Sequence, residues 1–193
     1  MKEFSQSYTR EYLADVKKLL DTIEQALADE LDKLVSLLSE ARKNKNTVFL
    51  MGNGGSATTA SHIAQDLGKC TIKDGLPRFR VISLTDSIPS MLAWANDASY
   101  EDIFIEQLKN LMHPGDIVIG ISGSGNSKNV IKAIEYANKN GALTLGITGY
   151  DGGRLMKNAK ENIHIPSFNM QRVEDIQLIV LHLLMSLSRD VEQ

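Results

Sequence analysis

The sequence predicts an α/β protein built on a parallel sheet covered by helices on both faces. Three observations carry that reading. Short apolar runs fall at 47–51, 80–84, 116–121 and 143–147, amphipathic stretches separate them, and no internal repeat or linker divides the chain. Apolar strands without alternation are buried on both sides, and strands that alternate with helices pair in parallel.

The elements follow in order. From about Tyr8 to Lys45, apolar residues recur at helical spacing (Leu13, Val16, Leu19, Leu20, Ile23, then Leu31, Leu34, Val35, Leu38) with charges between them. Neither Gly nor Pro occurs before Gly52, so only the polar positions around 28–30 could divide this lead into two helices. Core packing accounts for part of so long a lead; an interface between copies of the chain accounts for its length. Helices are expected over 56–69, 100–112 and 127–140, with a shorter one near 89–95. A weaker strand at 162–165 ends at Pro166, and a last helix covers about 170–189. We expect one domain over 1–193: an oligomerisation segment at 1–46 and an α/β core at 47–193.

Composition excludes several classes. Hydrophobic content of 42% and charged content of 23% are those of a soluble globular protein. A net charge of −3 offers no basic surplus for nucleic-acid phosphates. One cysteine, Cys70, rules out a disulfide framework and suits a reducing compartment. The charged N-terminus lacks a signal peptide's apolar core, and no run approaches membrane-spanning length. A cytoplasmic protein without nucleic-acid or membrane partners is expected.

Ligands of open parallel sheets bind at the carboxyl ends of the strands. Three such junctions are rich in Gly, Ser or Asn: Gly52-Asn53-Gly54-Gly55-Ser56, Ser122-Gly123-Ser124-Gly125-Asn126-Ser127, and Thr148-Gly149-Tyr150-Asp151-Gly152-Gly153. Gly permits close backbone approach, and hydroxyls and free amides at a helix start donate to an anion. A single turn of this kind carries Gly and Ser for backbone reasons alone as often as not. Two hydroxyl-bearing turns favour an oxyanion, phosphate first, and the three serines of the second make it the better candidate. With neither GxGxxG nor GxxxxGK[ST] present, no nucleotide cofactor is expected, and a phosphorylated polyol fits better.

Among ionisable groups, His62 and Asp66 share one helix face, four residues apart. Glu174 and His182 lie eight apart on the last helix, and Asp175 and His182 seven. Alone, a histidine among Leu178, Ile179, Leu181 and Leu183 is more often a packed core residue, and an i,i+4 pair is usually a surface pair. His113 and His164 have no such company.

These motifs, with Ala95-Asn96-Asp97, Gly115-Asp116 and the spacing of His62 and His182, resemble the SIS (sugar isomerase) family in its phosphoheptose isomerase branch. The resemblance covers nearly the whole chain. It implies a five-stranded parallel sheet in an α-β-α sandwich, assembled as a homotetramer with active sites between subunits. It places phosphate on Ser122, Gly123, Ser124 and Ser127, and the sugar near Asn53, Gly54, Gly55, Ser56, Asn96 and Asp97. Some members bind zinc, at positions corresponding to His62, Asp66, Glu174 and His182.

Four residues depart from the branch's pattern. Asp66 stands for a glutamate, Glu174 for a glutamine, Gly123 for a threonine, and Lys69 for an arginine, its spacing shortened by one residue. A substrate other than sedoheptulose 7-phosphate is therefore open. The expected chemistry is aldose–ketose isomerisation, with Asp66 as base or metal ligand and His182 as its acid–base partner. Rival readings are a non-catalytic module like the replication-initiator-associating relative, which lacks the last-helix histidine, and a sugar-phosphate regulator or an amidotransferase-type synthase half. The last two need appended domains for which this chain has no room.

Overall fold

In the computed structural model, which describes residues 1–190, the first helix is single. α1 runs unbroken over Lys2–Lys43. Residues 28–30 do not interrupt it, since Ala, Asp and Glu cost a helix little and no Gly or Pro intervenes. At 42 residues it spans about 63 Å, more than the sheet beneath it needs. Residues 2–15 are exposed apart from half-buried Tyr12, and burial begins in earnest at Ile23.

The remaining elements alternate as predicted: β1 Thr47–Met51, α2 Gly55–Lys69, β2 Arg80–Ser83, α3 Ile88–Asp97, α4 Ile105–Leu111, β3 Ile117–Ser122, α5 Lys128–Lys139, β4 Leu143–Thr148, α6 Gly153–Asn158, β5 Glu161–His164 and α7 Met170–Asp190. Two differences have clear causes. The helix expected over 100–112 is a 3-10 turn at Tyr100–Asp102 followed by α4, because Ser99 caps the turn by accepting from the Glu101 N–H. β3 starts at Ile117 because the Asp116 N–H closes the preceding turn, donating to His113 O at 3.2 Å, while its carboxylate accepts from the N–H groups of Thr47 and His113 at 2.7 Å each. α6 was not expected at all.

Five strands pair in parallel in the order β2-β1-β3-β4-β5. The chain moves outward from β1 to β2, then crosses back to β3 on β1's other side. The crevice at the carboxyl ends of β1 and β3 is therefore the switch point where ligands of such sheets bind. Strand side chains alternate between two cores. Val48, Leu50 and Ile119 pack with Leu34 of α1, Ile63 of α2 and Leu181 of α7. Phe49, Met51 and Val118 pack with Leu108 of α4, Ile134 of α5 and Leu155 of α6. Among the described residues, no helix is long and apolar enough to cross a membrane.

Candidate active site

The Ser122–Ser127 turn is built to leave hydroxyls free. Ser127 is the N-cap residue of α5, yet its side chain makes no cap bond, and no acid stands in that helix's first turn. Its Oγ lies 3.0 Å from Ser122 Oγ instead. Ser124 Oγ accepts from the Asn126 N–H at 3.2 Å. Gly125 (φ 65°) is obligatory, since a Cβ there would overlap the Gly152 carbonyl oxygen. The third Gly-rich junction and the helix after it brace this turn: Gly149 N–H donates to Gly123 O at 2.9 Å and Leu155 N–H of α6 to Gly125 O at 2.8 Å.

The first Gly-rich junction faces it. Gly54 (φ 54°) precedes α2, whose start likewise lacks a side-chain cap and a first-turn acid. Asn53 and Asn129 exchange amide hydrogen bonds of 3.0 and 2.9 Å, and Tyr100 Oη donates to Asn53 Oδ1 at 2.8 Å. One amide hydrogen of Asn53 is left for a ligand. Asn53, Gly54, Gly55, Ser56, Ser122, Gly123, Ser124, Ser127 and Glu174 line one cavity of about 280 Å3, completed by Ile121 and Met170. Two amino-terminal helix ends open onto it, which favours an anion.

Glu174 is the ionisable group on that wall. It packs on Gly55, where a Cβ would lie 2.5 Å from Glu174 Cδ and 2.6 Å from Oε2. Asn96 and Asp97 do not reach the cavity; both are exposed at the end of α3, Asn96 Nδ2 donating to Asp97 Oδ1 at 2.8 Å. Lys69 is exposed in the last turn of α2.

The second cluster joins α2 to α7. His62 Nε2 lies 3.3 Å from His182 Nε2 and 3.4 Å from Asp66 Oδ2, and His182 Nε2 lies 3.5 Å from Asp66 Oδ2. The other carboxylate oxygen, Asp66 Oδ1, accepts from the Cys70 thiol at 3.8 Å. Two facing imidazole nitrogens and a carboxylate oxygen at these distances form a donor set that suits a cation. A tetrahedral zinc ion with bonds of about 2.0–2.2 Å holds its ligands about 3.4 Å apart. The triangle is therefore the right size, and its donors are the right chemistry, for three of four zinc ligands. Glu174 stands outside this group. It is eight residues before His182 on α7, about 12 Å along the axis.

Triad and cavity thus lie two helical turns apart. The triad faces solvent, with the side chains of His62 and His182 46% and 40% exposed and Asp66 13%. Sequence reasoning missed Tyr100, Asn129 and Met170, whose roles arise from long-range contacts that no local spacing announces.

Comparison with known proteins identifies the family. The SIS domain family profile matches residues 11–149. A phosphoheptose isomerase of Geotalea daltonii is 37% identical over 173 residues, 89% of this chain and 88% of that protein. One from Helicobacter pylori is 37% identical over 91% of this chain and 90% of its own. The structure of the Neisseria gonorrhoeae phosphoheptose isomerase superposes with a TM-score of 0.88 at 25% identity, covering 95% of this chain and 97% of that one. The family profile over most of the chain and this level of identity lead to one conclusion: the chain belongs to the SIS domain family, in its phosphoheptose isomerase branch.

Proposed function

We propose that this protein is a phosphosugar isomerase of the sedoheptulose 7-phosphate isomerase type, interconverting ketose and aldose through an enediol. The observation that carries the reading is the meeting of His62, Asp66 and His182 from two helices that both begin at a hydroxyl-lined, anion-favouring cavity.

Ser122, Ser124, Ser127 and the amino end of α5 grip the phosphate, while Asn53, fixed by Tyr100 and Asn129, orients a sugar hydroxyl. Asp66 takes the carbon-bound proton and His182 serves the carbonyl oxygen. Zinc suits the same donors and, when bound, supplies a Lewis acid for the carbonyl and the developing enediolate. Glu174 is then the free carboxylate beside the phosphate.

We read the assembly as a homotetramer in which residues 1–46 serve as the contact segment and 47–193 as the core. Two features support it: the exposed Phe4, Tyr8 and Leu13 on α1, and a triad that faces outward two turns from its own chain's cavity. The triad of one subunit then serves the cavity of another, and exposed Asn96 and Asp97 find their sugar contacts across the same boundary. A cytoplasmic enzyme without nucleic-acid or membrane partners fits this reading.

The test is turnover of sedoheptulose 7-phosphate, followed by aldose formation, together with zinc analysis of the purified protein. Loss of turnover in Asp66→Asn and His182→Ala with inorganic phosphate binding retained is the expected result; wild-type turnover in both variants would refute the roles. A non-catalytic binding module has no need of the intact His182–Asp66 pair, and absence of turnover on any C5 to C7 ketose phosphate would favour it.

A further inference from the structure

Gly123 lies directly beneath Met170, the first residue of α7. A Cβ built on Gly123 would overlap Met170 Sδ and stand 3.1 Å from Met170 Cε, whereas Val173 Cγ1 at 3.7 Å would be an ordinary contact. The conflict is thus with the thioether alone. The same methionine forms part of the cavity wall, beside Ser122, Ser124 and Glu174. Its neighbours there are hydroxyls and a carboxylate, yet a thioether is apolar, a weak acceptor and readily repositioned.

We propose that Met170 walls the phosphate end of the cavity and that its fit there depends on Gly123, the two acting as a coupled pair in ligand binding. The proposal rests on the Ser122–Ser127 turn being the phosphate cradle. Where a hydroxyl-bearing residue at 123 would add a donor, this chain substitutes an apolar wall, so the anion is held by three serines and the α5 amides. The thioether is the free end of a flexible side chain, so a larger residue at 123 displaces it instead of breaking the turn. The room available to it is the cavity the sugar needs. Substitution at 123 therefore weakens binding and spares folding. Gly123 is not among the glycines with positive φ, so alanine is compatible with its backbone.

The experiment compares Gly123→Ala, Met170→Ala and the double variant with wild type. Three quantities are read: KM and kcat for sedoheptulose 7-phosphate, thermal protection by inorganic phosphate, and Tm without ligand. Gly123→Ala should raise KM, and the phosphate concentration needed for protection, by about 10-fold, with an unliganded Tm close to wild type. Met170→Ala should change KM by less than about 3-fold, and the double variant should return to the Met170→Ala value. A Gly123→Ala protein that binds like wild type, or that unfolds, overturns the proposal. So does a double variant as weak as Gly123→Ala. If wild type shows neither protection nor turnover, the cradle reading falls and this inference with it. If wild type shows both but the substitutions simply add, only the Met170 assignment falls.

Discussion

Ser127 occupies the N-cap of α5 but turns its hydroxyl to Ser122, 3.0 Å away, leaving the helix without a side-chain cap. An ordinary N-cap serine contributes about 1 kcal/mol to stability. This one should not. Ser127→Ala is expected to leave Tm nearly unchanged while weakening protection by inorganic phosphate roughly 10-fold, the scale of one charge-assisted hydrogen bond. Thermal melts with and without phosphate read both quantities; a large Tm loss without a binding defect would assign the hydroxyl to the fold.

His62, Asp66 and His182 predict a second result. His182→Ala and Asp66→Asn should each lower kcat by at least about 100-fold, the usual contribution of a positioned acid or base. Both should also lower bound zinc, measured by metal analysis after dialysis. Unchanged zinc and kcat would disconnect the triangle from the chemistry.

Subunit sharing gives a third. Ser124→Ala and His182→Ala damage opposite ends of the site. Mixed, denatured together and refolded, the two impaired preparations should show more turnover than the sum of the two refolded separately if one subunit's triad serves another's cavity. No recovery, with mixed assemblies verified by mass, would place each site within one chain.

Tyr100 gives a fourth. Tyr100→Phe removes the donor to Asn53 Oδ1 but leaves the paired bonds to Asn129. KM should rise about 3- to 10-fold with kcat held, as expected for one neutral hydrogen bond. A fall in kcat with KM unchanged would contradict a positioning role.

Glu30 yields a prediction in pH. Burial first, and then the nearby Glu161 carboxylate, push its pKa up. The folded state thus holds this proton more tightly than the unfolded chain, and stability falls as pH rises through the unfolded and then the folded value. Glu30→Gln removes that loss. The variant should melt above wild type at pH 7 and converge with it below about pH 4. Parallel melting curves at all pH values would exclude the effect.

Most of the fold was legible because β1, β3 and β4 are continuous apolar runs between amphipathic stretches, a pattern with few alternatives. α6 was hidden because it opens on Gly152 and Gly153 at φ 81° and 54°, residues that read as loop. Gly153 tolerates no Cβ, because one would lie 2.7 Å from the Gly125 backbone, a contact far away in sequence. The site divided the same way. The i,i+4 spacing of His62 and Asp66 reads alone as a surface pair, and the resemblance gave them and His182 a role. It grouped Glu174 with them, although eight helical residues carry that carboxylate to Gly55. Asn129, Tyr100 and Met170 act through partners 76, 47 and 47 positions away, beyond any local pattern.

α1 extends well past the surface that buries it, and over residues 2–15 only Tyr12 finds real cover, bonding Asp175 and lying under the Arg172 guanidinium. A free helical stretch of that length is marginal in water. On the homotetramer reading its order is borrowed from a neighbour, which makes helix content a function of dilution: far-ultraviolet circular dichroism should weaken as the protein is diluted through its association constant.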